Sequence, residues 1–260
     1  MHRFVILVSV EFLAGCASIN GRTPPVYDYV RSNRDGSEQE RVLMRFSSPT
    51  LVEVVKTRAR CSSAAYVTAT MDPEIGYAVS LSAGRLLPNA ERKVFGDLTQ
   101  VKNGSLRLHM ATDAGPLNET MALPLGRPWH LYDFDLASLN AALVGHVPNR
   151  QPIQFSLPLA WNGGPPILRN LGSVTLNFVA AEQHNGQPAL RYRATGTSAA
   201  FTGGPIWLDA RRGHILTVEW GTPNHAEYRD FTLRLHHVHH GANAWRRLLS
   251  GHLTHCPTGE

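Results

Sequence analysis

The chain has 260 residues, a formal net charge of +5 and only 17% charged residues, against ~25% in average globular proteins. Its 22 glycines and 17 prolines indicate many turns, and after the N-terminus no stretch approaches the ~20 apolar residues that cross a bilayer as a helix. All but three of the 25 basic residues are Arg, the exceptions being Lys56, Lys93 and Lys102. Because acids lie scattered among them, they read as solvated faces rather than as a patch for anionic lipid or acidic glycan.

At the N-terminus Arg3 precedes a short apolar run over residues 4–10, which Phe12 and Leu13 continue. A basic start, a short apolar core and small residues at the end describe an export signal, too short to be a transmembrane helix. Leu13-Ala14-Gly15-Cys16 resembles the bacterial lipobox. The resemblance implies cleavage before Cys16 and lipidation of Cys16. With Ala17 next, it also implies sorting to the outer membrane, facing the periplasm. An ordinary secretory signal, with Cys16 a plain thiol, is the alternative. Residues 1–15 are thus the expected signal peptide, and 16–25 the lipidated Cys and a tether of at most ~30 Å. Residues 26–260 form the expected folded domain, held close to the membrane. Export also makes nucleic acid a poor partner. Two cysteines remain, Cys61 and Cys256. An even pair in an oxidising compartment is expected to form a disulfide, the alternative being two buried thiols.

From residue 26 onward the pattern alternates as strands do. Residues 26–31 and 41–46 flank Asp35-Gly36, a turn signal. Residues 50–57 are rich in β-branched side chains. Strands at 65–71 and 77–81 surround a turn at 72–76, and strands at 98–101 and 105–110 surround Asn103-Gly104. The first half therefore reads as an antiparallel meander. A Pro- and Gly-rich break at 123–128 is either a turn or a sub-domain boundary near 125. The best helix signal follows, with Asp135 as its expected cap, Leu136, Leu139 and Leu143 on one face, and Gly145 beyond its end. Strands resume at 153–157, 173–181, 190–195, 205–209, 215–220 and 228–235. A short helix is expected at 243–250, stopped by Gly251.

From Trp129 on, WHLYDFDLASLN, RYRATGTSAAFTGGPIWLDARRGHILTVEW and PNHAEYRDFTLRL resemble uncharacterised β-rich periplasmic lipoproteins of proteobacteria. Through them the segment is similar to the lipoprotein-carrier type of half-closed barrel with a helix in its mouth. The likeness covers about half the chain and implies fold; it carries no binding residue over. Together with the strand pattern it leads to a mainly β fold (α+β the alternative): a curved antiparallel sheet or half-barrel with one or two short helices on the concave face.

Chemistry is sparsely signalled. His236-His237-Val238-His239-His240 is the most conspicuous cluster. On a strand, His237 and His239 share a face about 7 Å apart and would be the pair to bind zinc, with a third ligand from His252 or His255; the plainer reading is a solvated strand end. Asp133 and Asp135 suggest paired acids, but helix capping by Asp135 accounts for them more simply. No G-x-S-x-G, H-E-x-x-H or phosphate-cradling glycine motif occurs. Trp129, Tyr132, Phe134, Trp207 and Phe231 are candidates to line a groove for an acyl chain, or else plain core. The expected function is therefore that of a non-enzymatic, outer-membrane-anchored lipoprotein. It would bind an apolar ligand or an envelope partner on the concave face of its sheet. The alternatives are a surface-acting envelope scaffold and a His-dependent metal protein or hydrolase.

Overall fold

The computed structural model describes residues 23–256, apart from 73, 75, 88–90, 102, 103, 114, 125, 126, 147 and 255. The export signal, Cys16, His255 and part of the break near 125 therefore lie outside the described residues. Within them the first half supplies β1 (Val26–Ser32), β2 (Glu40–Ser48), β3 (Leu51–Thr57), β4 (Ala65–Asp72), β5 (Tyr77–Leu86), β6 (Arg92–Gln100), β7 (Leu106–Thr112) and β8 (Gly115–Met121). The second half supplies β9 (Ile153–Ala160), β10 (Leu168–His184), β11 (Gln187–Gly196), β12 (Pro205–Asp209), β13 (Ile215–Trp220) and β14 (Phe231–His239). Two short helices, α1 (Ala137–Leu143) and α2 (Ala244–Leu253), complete the set, with a 3-10 turn at Tyr132–Phe134.

All fourteen strands join one antiparallel sheet in the order β8-β7-β6-β5-β4-β3-β2-β1-β14-β13-β12-β11-β10-β9. Every neighbour but one is a sequential hairpin partner. The exception, β1 with β14, splices two meanders into a single surface. The turns follow local chemistry. Asn185 and Gly186 have φ of 50° and 77° and join β10 to β11 in two residues, as a type I′ hairpin requires.

The sheet curls without closing. Its extreme strands, β8 and β9, are not paired, but the Glu119 carboxylate of β8 accepts the Ile167 and Leu168 amides at the start of β10, at 3.0 and 2.7 Å. The chain between β8 and β9 must pass from one edge to the other, and it does so across the inner face. On the way it covers the β9 edge, where the His130 amide donates to Ser156 O at 3.0 Å and Ser156 N to Pro128 O at 2.8 Å. This segment, with the 3-10 turn and α1, fills the mouth of the half-barrel.

Alternation sorts the side chains into two faces. Tyr27, Tyr29, Val42, Met44, Val52 and Val54 point inward into a core that runs through both halves of the chain. Val26, Leu43 and Val55 point outward, where α2 covers them with Trp245 and Leu249. The first helix thus sits on the inner face and the second on the outer one. Gly251 does not stop α2, which runs on to Leu253. α1 is held by Asn140, whose side-chain amide donates to the Tyr29 hydroxyl and whose oxygen accepts the Ile215 amide, both at 2.8 Å. Its far end rests on the β12–β13 turn at Gly213. A Cβ there would lie 2.3 Å from Leu143 O and 2.5 Å from His146 O, so only glycine allows the approach. Cys61 and Cys256 form a disulfide with Cα atoms 5.4 Å apart, fastening the chain beyond α2 to the β3–β4 connection.

Candidate functional site

Three successive strands place a charge on the inward face at the same end of the sheet. The alternation that sends Tyr27 and Tyr29 inward also sends Arg31 inward on β1. On β2 Glu40 is in phase with Val42 and Met44, and on β3 Lys56 is in phase with Val52 and Val54. Arg31 and Glu40 are register partners. Charges in a core must be paired to be tolerated, and the partners come from the mouth segment.

Asp135 lies between the 3-10 turn and α1. It does not cap the helix: the N-cap position is Leu136, which makes no side-chain cap. Asp135 and Leu136 instead take left-handed backbone, φ 50° and 58°, costly for Leu by roughly 1–2 kcal/mol. That geometry turns the fully buried Asp135 carboxylate to the sheet. It meets Lys56 Nζ at 2.8 Å and an Arg31 nitrogen at 3.2 Å, while Arg31 also reaches Glu40 at 2.7 Å. Asn224 donates to Asp135 at 2.8 Å, and the Arg31 guanidinium lies 4.2 Å from the centre of the Tyr228 ring. Lys56 also donates to the Asp133 carbonyl. Burial opposes ionisation of Asp135, but Lys56 and Arg31 outweigh it and bring its pKa to about 2. Glu40 goes the other way, its carboxyl raised by burial more than Arg31 lowers it.

Beside this cluster opens a cleft of about 350 Å³. Its walls are Val67 of β4, Ala83 of β5, Leu98 of β6, Leu108 and Met110 of β7 and Leu117 of β8, and Leu131 and Phe134 of the mouth segment close it from above. Glu40, Lys56, Asp133 and His225 form its polar end. The Asp133 carboxyl accepts the Ala160 amide at 3.0 Å, and burial pushes its pKa up to about 6 against the pull of Lys56. His225 is lowered to about 3 by burial, with Lys56 and Arg31 adding to the effect. Larger recesses lie elsewhere, one of about 520 Å³ beside His236 and His237. Turns and polar groups line that one, so the mainly apolar inner cleft is the site best suited to hold a ligand.

Of the five groove aromatics, Phe134 lines the cleft. Trp129, Tyr132 and Phe231 are fully buried in the core, with Tyr132 packed edge-on against Phe231. Trp207 points outward from β12, since Ile206 and Leu208 take the inward positions. It stacks on His184 at 4.3 Å and donates to Glu182. His237 and His239 share a face, their ring centres 4.4 Å apart. His239 lies 3.0 Å from the Asp28 carboxylate, which Arg41 also engages at 2.7 and 2.9 Å. His252 is not near them: its ring meets the Ser62 carbonyl under α2. Among the described residues no group of three or more His, Cys, Asp or Glu converges as a metal site would require. The ionic cluster went unread in the sequence, though a signal was there: Arg31, Glu40 and Lys56 each occupy an inward phase of three consecutive strands.

The mouth segment also carries a buried histidine. His130 is 3% exposed, lies 3.1 Å from the Ser138 hydroxyl and packs edge-on to Phe155. Burial lowers its pKa to about 3, against ~6.5 in the unfolded chain. The unfolded state therefore takes the proton first. The stability carried by neutral His130 is complete above ~6.5 and is lost as pH falls toward 3. Acidification from about pH 6.5 to 4.5 should cost roughly 2–3 kcal/mol through this group. Asp133, raised above its unfolded value, opposes that loss over part of the same range. Urea unfolding of wild type and His130→Phe across this range should show the variant losing less stability with acid; equal slopes would remove His130 from the account.

No protein-family model matches the chain, and no curated protein matches it.

Proposed function

We propose that this chain is a non-enzymatic envelope lipoprotein, anchored through Cys16 to the outer membrane on its periplasmic side, that holds the apolar portion of a ligand in the inner-face cleft. The observation that carries the ligand half is the cleft itself: a concave, mainly apolar volume with a few convergent polar groups at one end. Its size is within the roughly 300–1,000 Å³ usual for small-molecule sites. The disulfide is consistent with an oxidising compartment, and the lipobox resemblance supplies the anchor. The tether would then keep the folded domain near a membrane, where apolar ligands reside.

Native mass spectrometry of the protein released from membranes should find a co-purifying amphiphile. Ala83 faces the cleft from β5, so Ala83→Phe is expected to fill it and weaken Nile red binding by about tenfold, equivalent to ~1.4 kcal/mol. Unchanged binding would place the ligand elsewhere. Radiolabelled palmitate should enter wild-type protein in cells and not Cys16→Ser; absence of label from wild type would end the anchor half of the proposal.

A further inference from the structure

The polar end of the cleft is unevenly furnished, and if the cleft is the ligand site, this selects the ligand's head. Lys56, the one cation among the described lining residues, is already held by Asp135 at 2.8 Å and by the Asp133 carbonyl. Arg31, behind it, is divided between Glu40 and Asp135. These two cations face three carboxylates, Glu40, Asp133 and Asp135, and His225 is kept neutral by burial. A sulfate, phosphate or carboxylate head entering here would find both cations engaged and the Asp133 and Glu40 carboxylates beside it. Desolvating such a group without an unspent counter-charge is costly.

Acceptors are another matter. Asp133 lines the cleft, and of its carboxyl oxygens Oδ1 is committed to the Ala160 amide. We infer that the cleft takes a single-tailed amphiphile whose head donates hydrogen bonds and carries no negative charge. Asp133 accepts from that head, and the tail runs between Val67, Ala83, Leu98 and Met110. Hydroxyl and amine heads share this chemistry, and the test separates them.

The experiment uses the full chain and measures displacement of Nile red at about pH 8, where Asp133 is ionised. The competitors share one tail: monopalmitoylglycerol, hexadecylamine and hexadecanesulfonate. The glyceryl head, the amine head or both should displace the dye at concentrations about tenfold below the sulfonate, a difference of ~1.4 kcal/mol. Asp133→Asn keeps the shape and the acceptor for Ala160 but removes the charge, so the gap to the sulfonate should shrink. If that variant does not fold, the wild-type ranking decides alone. Equal displacement by all three, or preference for the sulfonate, overturns the inference about the head while leaving the cleft as a tail site. Failure of every competitor to displace the dye would instead overturn the reading of the cleft itself.

Discussion

Asp135→Asn is expected to destabilise the protein by about 3–5 kcal/mol, the usual cost of removing one partner from a buried ionic group. Asn is the informative substitution because it tolerates the left-handed backbone at this position, and so isolates charge from conformation. Arg31 would retain Glu40 at 2.7 Å, but Lys56, 5% exposed, would lose the one carboxylate it contacts directly among the described residues. The loss should therefore fall mainly on Lys56. Adding Lys56→Met to Asp135→Asn removes the orphaned charge as well, and the double variant should be more stable than the single one, a non-additivity that neighbours in one network show. Urea midpoints of the wild type and the two variants decide it. A loss below about 1 kcal/mol for Asp135→Asn would mean that water solvates the cluster as it does surface ion pairs.

The second large effect concerns the Cys61–Cys256 bridge. Its half-cystines are 195 residues apart in sequence, and the chain-entropy relation gives roughly 5 kcal/mol for closing so long a loop. Cys256→Ser, or reduction of wild type, should therefore lower the melting temperature by many degrees. The first structure to loosen should be α2. Trp245 and Leu249 cover Val26, Leu43 and Val55 on the outer face, and beyond packing the local ties are few. The Cys61 amide donates to His252 O at 3.1 Å, and the His252 ring bonds to the Ser62 carbonyl at 2.9 Å. Hydrogen exchange should show α2 opening before the central strands in the variant and together with them in wild type. An unchanged melting temperature would assign the retention of α2 to packing alone.

Much of the architecture was legible residue by residue. β1 to β4 and β11 to β14 follow from alternation and turn dipeptides, because the sheet has one apolar face to bury and a period of two to do it with. β8 was not legible. Gly115-Pro116 opens it, its inward positions are Leu117, Glu119 and Met121, and as an edge strand it needs little β propensity. The full length of β10 escaped for a related reason: Gly172 interrupts the pattern at a bulge against β9. Asp135 was read as a cap because a carboxylate ahead of a leucine-spaced helix has a local explanation. Its real partners, Arg31 and Lys56, are distant in sequence and close only once the mouth segment folds back. Trp207 shows the converse error, an aromatic whose type suggested a groove while its parity with Ile206 and Leu208 put it outside.

The amino-acid sequence by itself determined most of the strands, the pairing of Cys61 with Cys256 and a short helix after Asp135, since each depends on neighbours within a hairpin, on side-chain period or on the count of cysteines. Tertiary structure alone decided which strand meets which across the splice of β1 with β14, that α2 lies on the outer face, and that Arg31, Glu40, Lys56, Asp133, Asp135 and His225 converge at one end of an apolar cleft. The reason is that pairing energies between distant residues exist only after the sheet has curled. Strand phase marks Arg31, Glu40 and Lys56 as inward, but nothing local names the buried partner each will meet.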